Sequence, residues 1–173
     1  MGDFFSNLSS YNIFNYLFPG AILYGYLQFR GLAPNTEFSI IVSFFLLYFA
    51  GLVISRVGSL FLKRIIERMA NIKEGNYKRY VAAAKKDSLV ATFSEIANMY
   101  RSLVATMFLI PFLSIYGVWS GKVSGLEFIT DTIFSTALMG LFITSYGKQD
   151  RYLAKRIDIA CATPPDQSDK ATH

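Results

Sequence analysis

The sequence predicts an all-α integral membrane protein: four transmembrane helices, with the second and third extended into a cytoplasmic helical stalk. Two observations carry the prediction. Four apolar runs, residues 11–29, 38–62, 103–119 and 128–146, come close to the roughly 20 residues a helix needs to cross a bilayer. Between the second and third runs lies the one long charged block, Leu62 to Arg101, with nine of the seventeen Lys and Arg residues. Composition agrees. Of 173 residues, 53% are hydrophobic and 17% charged, and mean hydropathy is +0.34, whereas a soluble domain carries about 25% charge. The chain then divides into a first transmembrane hairpin (1–61), a basic helical insert (62–101), a second hairpin (102–147) and a basic tail (148–173), disordered at its end.

Met1 to Ser10 lacks the basic start of a secretory signal and reads as a retained lead-in. The first run has no charge, but Asn12, Asn15 and Gln28 are polar and Pro19-Gly20 sits in its middle. Proline removes one backbone hydrogen bond and bends the helix. Lipid cannot satisfy the freed carbonyl, so a neighbouring helix or water must. Pro19 is therefore a kink, either a hinge or a bend used in packing. Residues 30–37 form a turn-rich loop in which Thr36 can cap the next helix. In the second run Gly51, Ser55 and Ser59 are four apart, on one helix face, where small residues let membrane helices approach closely. Arg56 lies beside that face. An arginine inside a span is costly and can mark a pore or interface charge, but its nearness to Lys63 favours snorkelling to the headgroups.

Helix is expected to run on from the second span through Met69, with Lys63 and Glu67 as an i,i+4 pair, and to stop at Gly75-Asn76. Tyr77 to Lys86 reads as a short basic helix, followed by a cap at Asp87 or Ser88. Leu89, Phe93, Ile96 and Tyr100 make a narrow packing seam that feeds into the third span. Pro111 is a second kink, and Tyr116 and Trp119 suit the far interface. In the fourth run Thr132, Thr136, Gly140 and Thr144 form another small-residue packing stripe. Asp131 enters one turn from the outer end, as a pore charge or as a helix-start carboxylate near the positive dipole end. Gly147 to Ile159 reads as a short amphipathic helix on the inner membrane surface, and the last dozen residues read as disordered.

Charge sets the expected topology. With both termini and the basic block in the cytoplasm, fifteen Lys and Arg lie inside and two, Arg30 and Lys122, outside. The positive-inside bias decides for that orientation, in a cell inner membrane.

No catalytic constellation is visible. The single His is His173 and the single Cys is Cys161, so nucleophile–histidine pairs, zinc sites and internal disulfides all lack their residues. No phosphate-binding glycine loop is present. The chain reads as a non-enzyme without cofactor or metal. Tyr77, Lys78, Arg79, Tyr80, Lys85 and Lys86 combine aromatics with cations at the basic tip. They could bind a nucleotide, a phosphate, nucleic acid or a cytosolic protein, or lie against anionic lipid. In architecture the chain, with its four spans and the inner insert NYKRYVAAAKKDSLVATFSEIANMYR, resembles small multi-span effectors of bacterial antiphage defence. That resemblance implies a homo-oligomeric pore or membrane-perturbing effector gated through the stalk. The alternative is a membrane anchor or assembly subunit that docks a soluble cytosolic partner on the stalk.

Overall fold

The structure is a computed structural model that describes residues 10–33, 38–69 and 77–162. These form five helices and no strand: α1 (Ser10–Phe29), α2 (Ile40–Met69), α3 (Tyr77–Lys86), α4 (Ser88–Trp119) and α5 (Gly125–Ala162). The expected cap at Thr36, the stop at Gly75-Asn76, the lead-in before Ser10 and the tail beyond Ala162 lie outside the described residues.

Helices α2, α4 and α5 have 30, 32 and 38 residues and are apolar enough to cross a membrane. At about 1.5 Å per residue each exceeds the roughly 30 Å of a bilayer core. Their outer faces are apolar as well: Ile40, Phe45 and Phe49 on α2, Phe112 and Trp119 on α4, and Ile133 and Phe134 on α5 are exposed. Such a belt is compatible with a membrane protein and would be a liability in water. Helix α1, 20 residues without a charge, packs along α2 and α4.

Two loops close one end of the bundle in the same way. After α1, Leu32 N–H donates to the Leu27 carbonyl (2.8 Å) and Gly31 N–H to the Gln28 carbonyl (3.0 Å). After α4, Lys122 N–H donates to the Gly117 carbonyl (2.9 Å) and Gly121 N–H to the Val118 carbonyl (3.0 Å). Both are the glycine-capped motif whose left-handed residue favours glycine; Gly31 has φ +62 and Gly121 φ +71. Each helix after a loop starts on a serine. Ser39 Oγ accepts from Val42 N–H (3.4 Å), and Ser124 and Glu127 cap each other reciprocally at the start of α5.

Helix α4 is the centre of the bundle, with half of its apolar window buried against 11% for α2 and for α5. It packs on α1, α2 and α5. Its buried residues combine small or weakly polar ones, Ser102, Ala105, Thr106, Ser114 and Gly117, with the larger Leu103, Met107 and Ile110. Ser102 and Thr106 hydroxyls donate to the carbonyls four residues back, so they enter the core already satisfied. Around them close Ile54, Leu62, Ile66, Val104, Ile143 and Tyr146.

Helix α2 widens into a π-turn at Gly58–Leu62 before resuming to Met69. Gly58 faces α4 there. A Cβ on it would stand 3.1 Å from the Ala105 Cβ and 3.4 Å from the Arg101 carbonyl oxygen. The closest approach of all joins α1 to α2. A Cβ on Gly51 would fall 1.6 Å from the Tyr16 carbonyl oxygen, and one on Gly20 would fall 1.9 Å from that of Leu47. Pro19, buried beside Gly20, sits inside α1 at this crossing, and Pro111 sits within α4.

Two expectations are revised. Residues 147–159 do not form a separate surface helix; they continue α5 without a break. Their apolar positions Leu153, Ile157 and Ala160 have found partners in Tyr80, Ala83, Ala84 and Val90, a second small core at the basic end. The seam on α4 is revised only in part: Tyr100 packs against the main core and Phe93 and Ile96 are half-buried. Val90 and Ala97 are buried while Leu89 is exposed, because close helix contact favours the small side chains over the large ones.

Candidate functional site

The polar residues gather in three places. At the loop end, Asp131 of α5 is surrounded. It pairs with Arg30 through Nη2 and through Nε (3.1 Å), and it accepts from the Tyr26 hydroxyl (2.8 Å) and the Ser114 hydroxyl (3.0 Å). Arg30 also reaches Glu127 (2.7 Å) and stacks over the Phe29 ring at 4.9 Å. The Lys122 ammonium donates to the Gly31 carbonyl (2.8 Å) and so ties the two glycine-capped loops together. Through these partners Asp131 fastens α1, α4 and α5. A clue lies in the chain itself, since Arg30 directly follows α1 and Asp131 stands within two turns of the start of α5, at the same end.

At the basic end, α3 lies on α4 and α5. Among the described residues the expected tip side chains have separate surroundings. Tyr80 is partly buried in the small core, and Tyr77 stacks on it at 6.4 Å. The Arg79 guanidinium pairs with Asp158 (2.8 Å). Lys78, Lys85 and Lys86 are exposed. A cavity lies between the start of α4 and the second half of α5. It is an open groove of about 590 Å³ lined by Asp87, Phe93, Gln149, Tyr152, Lys155, Arg156 and Ile159. Arg156 Nε donates to Asp87 (2.6 Å), and its guanidinium stands 5.8 Å from the Phe93 ring centre. The Gln149 amide nitrogen is buried and finds no acceptor among the described residues. The α5 contribution was hidden because it was read as a membrane-surface helix.

Asp87 connects this groove to the fold. Its other oxygen accepts from Leu89 N–H (3.0 Å), capping α4. The Arg156 hydrogen bond, followed by this capping bond, holds its carboxyl below the usual carboxylate range. A lowered folded value means the contribution is present above the ordinary value of about 4 and is lost as pH falls through the lowered one. Amide exchange at Leu89 and Val90 is therefore expected to accelerate below about pH 4. Asp87→Asn keeps the cap but removes the charge, and its exchange is expected to be insensitive over that range. An unchanged pH profile in Asp87→Asn would refute the assignment.

The third place is a polar cavity of about 140 Å³ where α1, α2 and α4 meet at the π-turn. Asn15 and Tyr16 come from α1, Ser55, Arg56 and Ser59 from α2, and Glu95, Asn98, Arg101 and Ser102 from α4. Ser55 and Ser59 do not pack against a second helix stripe; they line this cavity, while Gly51 alone of the three makes the close crossing. Arg56 lines it too, and is otherwise exposed. On α5, Thr132 is half-buried but Thr136, Gly140 and Thr144 are exposed, with nothing within 4 Å of a Cβ on Gly140. Among the described residues nothing covers Thr136, Gly140 and Thr144 of that stripe. Comparison with known proteins finds no matching family model, no similar curated protein and no similar solved structure.

Proposed function

We propose that this chain is a non-enzymatic, four-pass inner-membrane anchor that docks a soluble cytosolic partner on its basic end. The groove between α4 and α5 carries the reading. Phe93, Tyr152 and Ile159 offer an apolar floor, and Lys155 and Arg156 offer donors at its side. A partner segment with an acidic group next to an apolar or aromatic side chain suits both. The groove is held by a packed body with its own core, Ala83, Val90 and Ala160, beyond the apolar lengths of α4 and α5. The charge bias supports both termini and this end on the cytoplasmic side. The absence of Asp, Glu, Lys and Arg from Ser10–Phe29 supports α1 as the fourth pass. Charge-reversal at Lys155 combined with Tyr152→Ala is expected to release any cytosolic protein that co-purifies with the wild type in mild detergent, read by native mass spectrometry. The membrane fraction of the variant should be unchanged. A variant that retains every protein bound by the wild type would sink the reading.

A second reading, the homo-oligomeric pore-forming effector of the kind the antiphage resemblance implies, is favoured by one observation. The uncovered Thr136, Gly140 and Thr144 on α5 leave room for a second copy to approach closely. Asp131 weighs against it, since its ion pair and hydrogen bonds occupy it inside the chain. Ion flux through liposomes is the test: on this reading Gly140→Leu abolishes a conductance that the wild type shows. Wild-type protein that conducts nothing, with or without a cytosolic extract, removes it.

A further inference from the structure

The polar cavity at the π-turn has features that packing does not require. Its lining carries two guanidinium groups, Arg56 and Arg101, and one carboxylate, Glu95. Among the described residues neither arginine makes an ion pair with a carboxylate. The Arg101 Nε is buried and has no hydrogen-bond partner, although the side chain also reaches toward Tyr146 on α5. A buried charged donor left without an acceptor is unfavourable, and more so in or near lipid, where water cannot supply one freely. The volume, about 140 Å³, is many times the roughly 10–15 Å³ that one water needs, so a polyatomic guest fits. Ser59 and Asn98 add neutral polar groups on either side. The π-turn contributes directly. Within α2 it carries Ser59, and it sets Gly58 close enough to Arg101 that the α4 backbone is fixed beside the cavity; such turns are often found at functional sites.

We propose that this cavity binds the oxyanion of a phosphate group, held between Arg56 and Arg101. The guanidinium fork matches phosphate oxygens, and two forks give the net positive field a single lysine-lined face would not. The phosphate can come from a phospholipid headgroup or from a soluble phosphate. The inference goes beyond the docking reading and shares no residue with the groove, so either can fail without the other.

The test uses the full chain, delipidated in neutral detergent. One arm titrates inorganic phosphate against chloride at equal ionic strength and follows the melting temperature. The other reconstitutes the protein in phosphatidylcholine discs with or without phosphatidylglycerol and counts retained lipid by native mass spectrometry. The wild type is expected to bind in at least one arm: phosphate binding identifies a soluble anion site, and phosphatidylglycerol retention alone identifies a headgroup site. Arg56→Gln, an exposed position whose loss should not unfold the protein, is expected to weaken that binding at least tenfold, and Arg56→Lys to weaken it less. Arg64→Gln removes the same charge from an exposed position outside the cavity lining and is expected to bind like the wild type. Binding in neither arm, or an equal loss in Arg56→Gln and Arg64→Gln, overturns the proposal.

Discussion

Gly51→Leu is expected to pry α1 off α2 and to destabilise the protein by about 3 kcal/mol, the upper part of the overpacking range. The reason is the identity of the obstructing atoms. A Cβ at Gly51 lies 1.6 Å from the Tyr16 carbonyl oxygen and 2.5 Å from its carbonyl carbon. These are main-chain atoms of a helix and cannot swing aside as a side-chain tip can. Tyr16→Ala should therefore fail to rescue Gly51→Leu, although it removes a large neighbour whose ring packs edge-on to Tyr48 at 5.5 Å. Gly20→Leu should behave like Gly51→Leu, since its Cβ meets the Leu47 carbonyl oxygen at 1.9 Å. Gly140→Leu supplies the contrast: nothing lies within 4 Å of its Cβ, so the melting temperature of the isolated chain should not move. Thermal unfolding in detergent, followed by tyrosine and tryptophan fluorescence, reads all four. Equal stability of Gly51→Leu and Gly140→Leu would show that the α1–α2 crossing is not as close as described.

The second large effect is at the loop end. Asp131→Ala should cost about 3 kcal/mol, as breaking one partner of a buried ion pair does. The side chains of Arg30 and Asp131 are 11% and 10% exposed, so neither charge recovers much water when the other is removed. Two hydroxyl donors, Tyr26 and Ser114, would lose their acceptor at the same time. Arg30→Leu alone should cost a similar amount, because it strands a carboxylate. The double variant Arg30→Leu with Asp131→Leu should be more stable than the sum of the singles predicts, since an uncharged pair leaves no stranded charge. The ion pair of Glu127, whose side chain is 45% exposed, should matter far less, since water screens it. A double-mutant cycle that closes with no coupling between Arg30 and Asp131 would contradict the network.

The sequence shows length and composition well because both are local. A run such as Phe38–Leu62 states its apolar length, and a fixed rise per residue converts that length into a membrane-scale helix. The helical continuation to Met69 and the cap at Asp87 follow from neighbours a few residues apart. Small-residue spacing was a weaker guide. Gly51, Ser55 and Ser59 share a face, yet one makes a helix crossing and two line a cavity. The spacing identifies a face without saying what meets it. The same limit explains Thr136, Gly140 and Thr144, which stay exposed among the described residues, and the tip, where Tyr80 went to a core and Arg79 to an ion pair.

By itself, then, the sequence determined that this protein is helical, that its apolar helices are long enough for a membrane, and that its positive charge is concentrated between the second and third runs. The tertiary structure alone decided that α4 is the central helix, that α5 continues to cover α3, and that Arg30 meets Asp131 across 101 residues of chain. It also placed two arginines around one cavity at the π-turn. Helix length and amphipathic period are set by residues three or four apart, but a helix face acquires its role only from the side chains that the rest of the fold brings against it.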